Sequence, residues 1–275
     1  MPFVDSNHMR TYFEWSGEEG LPVLVLSNSL GADLSMWDAQ IDEFAKHFRV
    51  LRYDTRGHGR SATTAGTYTI EQLGGDVIAM LDALNLRRAA FCGLSMGGMI
   101  GQWLAIHAPQ YLERLILANT AAKIGTVEIW NARIRTVLEA GMQAVVPSIL
   151  YRWFTHEYRA LYPGTVAATS RMLEAANPIG YTACCAAVRD MDLREFVHRI
   201  DVPTLVIAGA EDIATSPVEG RFLADRIAGA QYVCLHAAHL SNIEAAREFT
   251  ASAIWFLKSE RKEETWMKTD AMSKG

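Results

Sequence analysis

The chain has 275 residues, half of them hydrophobic, so it can bury a substantial core as one large α/β domain carrying an insertion. A formal net charge of -5, with no Lys/Arg stripe or polybasic block, excludes an extended nucleic-acid partner. No stretch has the apolar length that spans a bilayer, and residues 1–10 lack the basic-then-apolar pattern of a secretory leader, so a cytoplasmic location without membrane association is expected.

Apolar runs alternate with helical patterns along the chain. Val23–Leu26 and Arg49–Tyr53 read as strands, each followed by a loop, Ser27-Asn28-Ser29-Leu30-Gly31 and Asp54-Thr55-Arg56-Gly57-His58-Gly59-Arg60-Ser61 respectively. The second loop is rich in turn formers and reads as a structural brace. An amphipathic helix is predicted over Ile70–Leu84, with Thr69 as N-cap and Leu73, Val77, Met80, Leu81 and Leu84 on one face. Ala89–Cys92 is the next strand, followed by Gly93-Leu94-Ser95-Met96-Gly97 and a helix-like stretch from Gly98 to Ala105. Strands Leu115–Ala118, Thr204–Ala208 and Gln231–Leu235 complete the β-α-β alternation of a mostly parallel central sheet flanked by helices. The division expected is a core of residues 1–120 and 199–258, a helical cap of residues 121–198 without strands, and a charged tail of residues 259–275. Aromatics in the cap segment (Trp130, Tyr151, Trp153, Phe154, Tyr158, Tyr162, Tyr181) suit a lid over a pocket. Cys92, Cys184, Cys185 and Cys234 show no metal-ligand spacing and are expected to be buried reduced thiols; no metal or cofactor is expected.

The G-x-S-x-G pentapeptide centred on Ser95 lies between a strand and a helix, the context in which a sharp turn projects a nucleophilic hydroxyl from the end of a sheet. A serine needs a base, and the base an orienting acid. In the chain order of such enzymes the acid follows a later strand and the histidine comes last, which selects Asp212, in Gly209-Ala210-Glu211-Asp212, and His239. Glu211 and His236 are their nearest competitors, with His236 read as structural; His58 precedes the serine and is disfavoured by order. An oxyanion hole is expected from the backbone N–H groups of Met96, directly after the nucleophile, and Leu30, in the loop after the first predicted strand.

From Val23 to Phe256 these motifs resemble the α/β-hydrolase family, which implies the α/β-hydrolase fold with a helical cap insertion. Within it the chain is most similar to the 3-oxoadipate enol-lactonase family of aromatic catabolism. That likeness is carried by Leu26–Gly31 with Met36-Trp37, by Cys92–Gly98, and by Gly180–Asp192 in the cap segment. Many α/β-hydrolases have His-Gly where this chain has Asn28-Ser29, a departure that leaves the amide donor in place. The resemblance implies a serine hydrolase acting on a small lactone that bears a free carboxylate. A cationic partner for that carboxylate is expected in the cap, first Arg133, one helical turn from Trp130, and then Arg189. A general carboxylesterase or haloperoxidase-like hydrolase, a carbon–carbon bond hydrolase of another aromatic pathway, and a slow-turnover small-molecule receptor would carry the same triad; only the cap segment argues against them.

Overall fold

The computed structural model describes residues 2–6 and 8–259; beyond Ser259, the expected tail lies outside the described residues. Eight strands form one sheet, β1 (Phe3–Ser6), β2 (Met9–Ser16), β3 (Val23–Ser27), β4 (Arg49–Tyr53), β5 (Ala89–Leu94), β6 (Leu112–Ala118), β7 (Thr204–Gly209) and β8 (Gln231–Leu235). Their order is β1-β2-β4-β3-β5-β6-β7-β8. Only β1 and β2 run antiparallel to their neighbours, and β3 to β8 are parallel. The expected α/β architecture is therefore present. The central strands β5 and β7 are buried at every position, because helices cover both faces of a parallel sheet.

The N-terminal hairpin has no counterpart in the predicted elements. In β2, Met-Arg-Thr-Tyr-Phe-Glu-Trp-Ser, charged residues interrupt the apolar ones, as befits an antiparallel strand near a sheet edge. Glu14 is held there by Arg52 of β4, Nη2 to Oε2 3.0 Å. A search for continuous apolar runs passes over such a strand.

Core helices are α1 (Asp38–Phe44), α2 (Ile70–Ala83) and α3 (Met96–His107) before β6. The Thr69 hydroxyl accepts from the Gln72 N–H at 3.0 Å and starts α2 at the predicted residue. Between β6 and β7 stand α4 (Val127–Ala140), α5 (Val146–Trp153), α6 (His156–Leu161), α7 (Pro163–Glu174) and α8 (Pro178–Asp190). Side-chain caps at Thr126, Thr155 and Asn177 and prolines at the starts of α5, α7 and α8 explain why this stretch breaks into short helices. The chain ends with α9 (Pro217–Arg226) after β7, then α10 (Ser241–Glu244) and α11 (Ala246–Lys258) after β8.

Two expectations about side chains are corrected. Cys92, Cys184 and Cys185 are buried, but Cys234 is exposed, because β8 is an edge strand that meets solvent at Gln231 and Cys234. Tyr151 and Tyr162 are also exposed rather than turned toward a pocket, whereas Trp130, Trp153, Phe154 and Tyr181 are buried.

The 54–61 loop is braced by a buried two-point ion pair, Arg56 Nε to Asp76 Oδ2 at 2.6 Å and Nη2 to Oδ1 at 2.5 Å, that ties it to α2. Removing one partner of such a pair leaves an uncompensated buried charge. Asp76→Ala is therefore expected to cost about 3–5 kcal/mol, read as a lower urea midpoint with an unchanged slope.

Candidate active site

The loops that follow β3, β5, β6, β7 and β8 all open at the carboxyl ends of parallel strands, the edge where open α/β sheets hold their ligands. Ser95 lies between β5 and α3 with φ 56° and ψ -113°, a left-handed conformation that costs a non-glycine residue about 1–3 kcal/mol. The surroundings enforce it. Its N–H donates to the Ala118 carbonyl at 2.9 Å, and its own carbonyl accepts from Thr120 Oγ1 at 2.7 Å. A Cβ at Gly93 would stand 2.1 Å from the Gly97 carbonyl oxygen, and one at Gly97 would stand 2.2 Å from that of Ser27. Both positions must be glycine for strand and helix to meet this closely.

Asp212 follows β7 and His239 follows β8, and both are 2% exposed. The His239 Nδ1–H donates to Asp212 Oδ2 at 2.9 Å. The same oxygen accepts from Thr215 Oγ1 at 2.8 Å and from Asn119 Nδ2 at 3.1 Å, while Oδ1 accepts the Ala214 and Thr215 N–H groups at 2.8 and 2.9 Å. Burial opposes ionisation of Asp212, but attraction to His239 and this set of donors outweighs it and holds the carboxyl below its usual range. Ser95 and His239 line one cavity of about 200 Å³ with Trp130, Arg133, Arg152 and Trp153. Among the described residues no hydrogen bond joins Ser95 Oγ to the His239 ring.

The competitors stand elsewhere. His236 and Glu211 are exposed and face each other across 3.7 Å, so His236 is a surface residue rather than a structural one. His58 is buried in the 54–61 loop with Nε2 accepting the Gly31 N–H at 2.8 Å. In the loop after β3, the Ser29 N–H goes to Met36 Sδ at 3.3 Å and the Gly97 N–H to the Asn28 carbonyl at 3.0 Å. Among the described residues no protein acceptor takes the N–H of Leu30 or of Met96, the first residue of α3.

Of the three insertion residues considered from the sequence, Trp130 and Arg133 line the cavity, with the Arg133 guanidinium 4.9 Å from the Trp130 ring centroid. Arg189 does not. It pairs with Asp190 and donates to Asn131 Oδ1 at 2.7 Å in a separate surface groove. Val188 takes the inward position on α8, and the next residue is turned about 100° away around the helix.

Arg152 escaped the sequence reading. It comes from α5 into the same cavity, and its buried Nη2 has no hydrogen-bond partner among the described residues. Burial, and then the nearby charge of Arg133, push its guanidinium down to about 10. Nothing in the local sequence separates it from a surface arginine. Asn119 was also missed, although it follows β6 as Asp212 follows β7, so the rule of strand ends points to it. Its left-handed φ of 43° suits asparagine, and its side chain joins Asp212 to the Ala238 carbonyl at 3.2 Å and to Ser241. The His239 loop is tied to the insertion as well, with the Leu240 N–H donating to the Trp153 carbonyl at 3.0 Å and Glu244 Oε2 accepting the Ala238 N–H at 3.0 Å and the Thr155 N–H at 3.3 Å.

Comparison with known proteins agrees with this fold. Residues 22–246 match the alpha/beta hydrolase fold family. The chain is 46% identical over 233 residues to 3-oxoadipate enol-lactonase 2 of Acinetobacter baylyi, covering 85% of this chain and 87% of that one. It is 39% identical over 244 residues to 3-oxoadipate enol-lactonase 1 of the same organism, covering 89% and 91%. The crystal structure of the enol-lactonase from Burkholderia xenovorans LB400 superposes with a TM-score of 0.93 at 46% identity, over 94% of this chain and all of that one. The chain belongs to the alpha/beta hydrolase fold family and, within it, to the enol-lactonases.

Proposed function

We propose that the protein hydrolyses 3-oxoadipate enol-lactone to 3-oxoadipate in aromatic catabolism, with Ser95 as nucleophile, His239 as base and Asp212 as orienting acid, beneath a cap formed by residues 121–198. The observation that carries this reading is the cavity itself, where Ser95 and His239 meet two arginines and two tryptophans. A neutral ester leaves such cations uncompensated. A small lactone with a free carboxylate neutralises them and sets its ring carbonyl toward the serine.

His239 Nε2 takes the proton of Ser95 Oγ as the oxygen attacks the lactone carbonyl. The N–H groups of Leu30 and Met96 receive the oxyanion, the second at the positive end of α3. Asp212 keeps the proton of His239 on Nδ1, so that Nε2 is free to accept. Collapse breaks the ring C–O bond and releases an enolate, which takes the proton from the His239 imidazolium and becomes the ketone, leaving His239 neutral. Water deprotonated by His239 then attacks the acyl-serine, and His239 returns that proton to Ser95 Oγ as it leaves, freeing 3-oxoadipate with its second carboxylate.

The deciding experiment is steady-state hydrolysis of freshly generated 3-oxoadipate enol-lactone beside p-nitrophenyl acetate and a neutral lactone. The expected result is a preference in kcat/KM above about 10³, roughly 4 kcal/mol of differential transition-state binding. Comparable rates on all three would reduce the reading to a broad esterase, and stoichiometric binding without turnover would make it a receptor. Arg133→Ala and Arg152→Ala are each expected to raise KM for the acidic lactone about tenfold or more while leaving p-nitrophenyl acetate within about twofold. Equal effects on both substrates would remove the carboxylate role.

A further inference from the structure

We infer that His58 is a positioning residue for the oxyanion hole, holding the turn that presents the Leu30 amide through its hydrogen bond to Gly31; this rests on the catalytic reading above. The turn runs from Ser29 to Ala32 and is closed by the Ala32 N–H on the Ser29 carbonyl at 3.1 Å. Gly31, with φ +89°, sits third, as in a type II turn. The alternative type I turn differs chiefly by a flip of the peptide between Leu30 and Gly31, which changes ψ of Leu30 and φ of Gly31 and so the course of the turn directly after the Leu30 N–H. In the observed orientation the Gly31 N–H meets His58 Nε2 at 2.8 Å. Flipping that peptide would turn the carbonyl of Leu30 toward the imidazole and forfeit the bond.

The bond requires an imidazole with Nε2 unprotonated, and the rest of the pocket supplies one. His58 Nδ1 lies 3.2 Å from the Arg56 carbonyl, which can only accept, so the ring proton belongs there. Around the ring, Arg56 is occupied by Asp76, Cys184 Sγ lies 3.9 Å from Nδ1, and Asp33 contributes a weak attraction for positive charge. Burial outweighs these and pushes His58 down to about 4, so the acceptor persists at neutral pH.

The imidazole is itself wedged in place by the insertion. A Cβ on Gly57 would come within 2.6 Å of Gly180 Cα, so α8 packs directly on the 54–61 loop, and Cys184 of α8 lies 3.5 Å from the Arg56 carbonyl. Gly180 and Cys184 of this helix therefore face the loop that carries His58, while Val188 faces the cavity.

The test compares His58→Gln, whose amide oxygen reaches the Nε2 position, with His58→Asn, whose shorter side chain does not. The readouts are kcat and KM for p-nitrophenyl acetate and the rate at which diethyl p-nitrophenyl phosphate labels Ser95, a reaction that also places developing negative charge in the oxyanion hole. Losing an oxyanion donor outright costs about 10²–10³ in kcat, so His58→Asn is expected to lower kcat and labelling about tenfold or more with KM within about threefold, and His58→Gln to restore both to within about threefold. Equal rates for the two variants would overturn the inference, as would a fall in KM terms alone. Wild-type protein left unlabelled at Ser95 would instead overturn the nucleophile reading, and this inference with it. The wild-type protein offers a check that needs no variant, since ¹⁵N shifts of the His58 ring should show a protonated Nδ1 and a bare Nε2 at neutral pH, and the opposite tautomer would overturn the proposal.

Discussion

Ser95→Ala is expected to lower kcat on 3-oxoadipate enol-lactone by a factor on the order of 10⁶, with KM little changed. The expectation follows from what the substitution removes and what it leaves. Alanine deletes only the hydroxyl oxygen, while the turn remains fixed by the Ala118 carbonyl, Thr120 and the contact of Gly97 with β3. Cavity, arginines and backbone donors persist, so binding survives and the covalent step does not. Single-turnover analysis with a rapid quench separates the two; a near-normal chemical rate in Ser95→Ala would dismiss this serine as the nucleophile. The variant is also expected to be no less stable than the wild type, because the left-handed φ of 56° is imposed by packing and persists with either side chain.

Asp212→Asn is expected to cost about 10⁴ in kcat while the protein stays folded. Every partner of the carboxylate is a donor, with three groups on Oδ2 and two on Oδ1. An asparagine must turn its NH₂ toward one set or the other, so donor meets donor whichever way the amide lies. The adjustment open to His239 is to accept on Nδ1, which moves its proton to Nε2 and leaves nothing to deprotonate Ser95. The pH dependence of stability provides a second signature. A carboxyl held below its unfolded value stabilises the fold above that value, about 3.9, and this contribution is lost as pH falls through the lower folded value. The stability gap between wild type and Asp212→Asn should therefore be full at neutral pH and narrow below about pH 4; a gap unchanged down to pH 2 would contradict the ionised, hydrogen-bonded carboxylate.

The parallel core was legible because strands buried on both faces must be apolar at consecutive positions, as in Thr204–Gly209, and because a serine turn flanked by glycines can hardly be written otherwise. Asp212 could be chosen over Glu211 by its G-x-x-D spacing from Gly209, and His239 over His236 by its place in the loop after the last strand, and the fold turns the rejected pair outward to solvent. The β1–β2 hairpin was not legible, since an edge strand such as Met9–Ser16 alternates charged with apolar residues and draws its stability from pairing with a distant segment, β4.

The insertion marks the boundary of what a one-dimensional reading can decide. Its helices could be anticipated from periodicity, and Arg133 from its turn-apart spacing with Trp130, because both are local properties of one helix. Whether Arg152 or Arg189 lined the cavity of Ser95 depended on how α5 and α8 are rotated against the core, a matter of about 100° around a helix axis. The same holds for Asn119 at Asp212 and His58 at Gly31, partners 93 and 27 residues apart. The sequence by itself determined the parallel strands, the serine turn and the order of Ser95, Asp212 and His239 along the chain, since each rests on neighbouring residues and fixed strand ends. Only tertiary packing decided which charges share the cavity and which buried groups hold the machinery still, because those contacts join helices and loops whose relative placement no local pattern encodes.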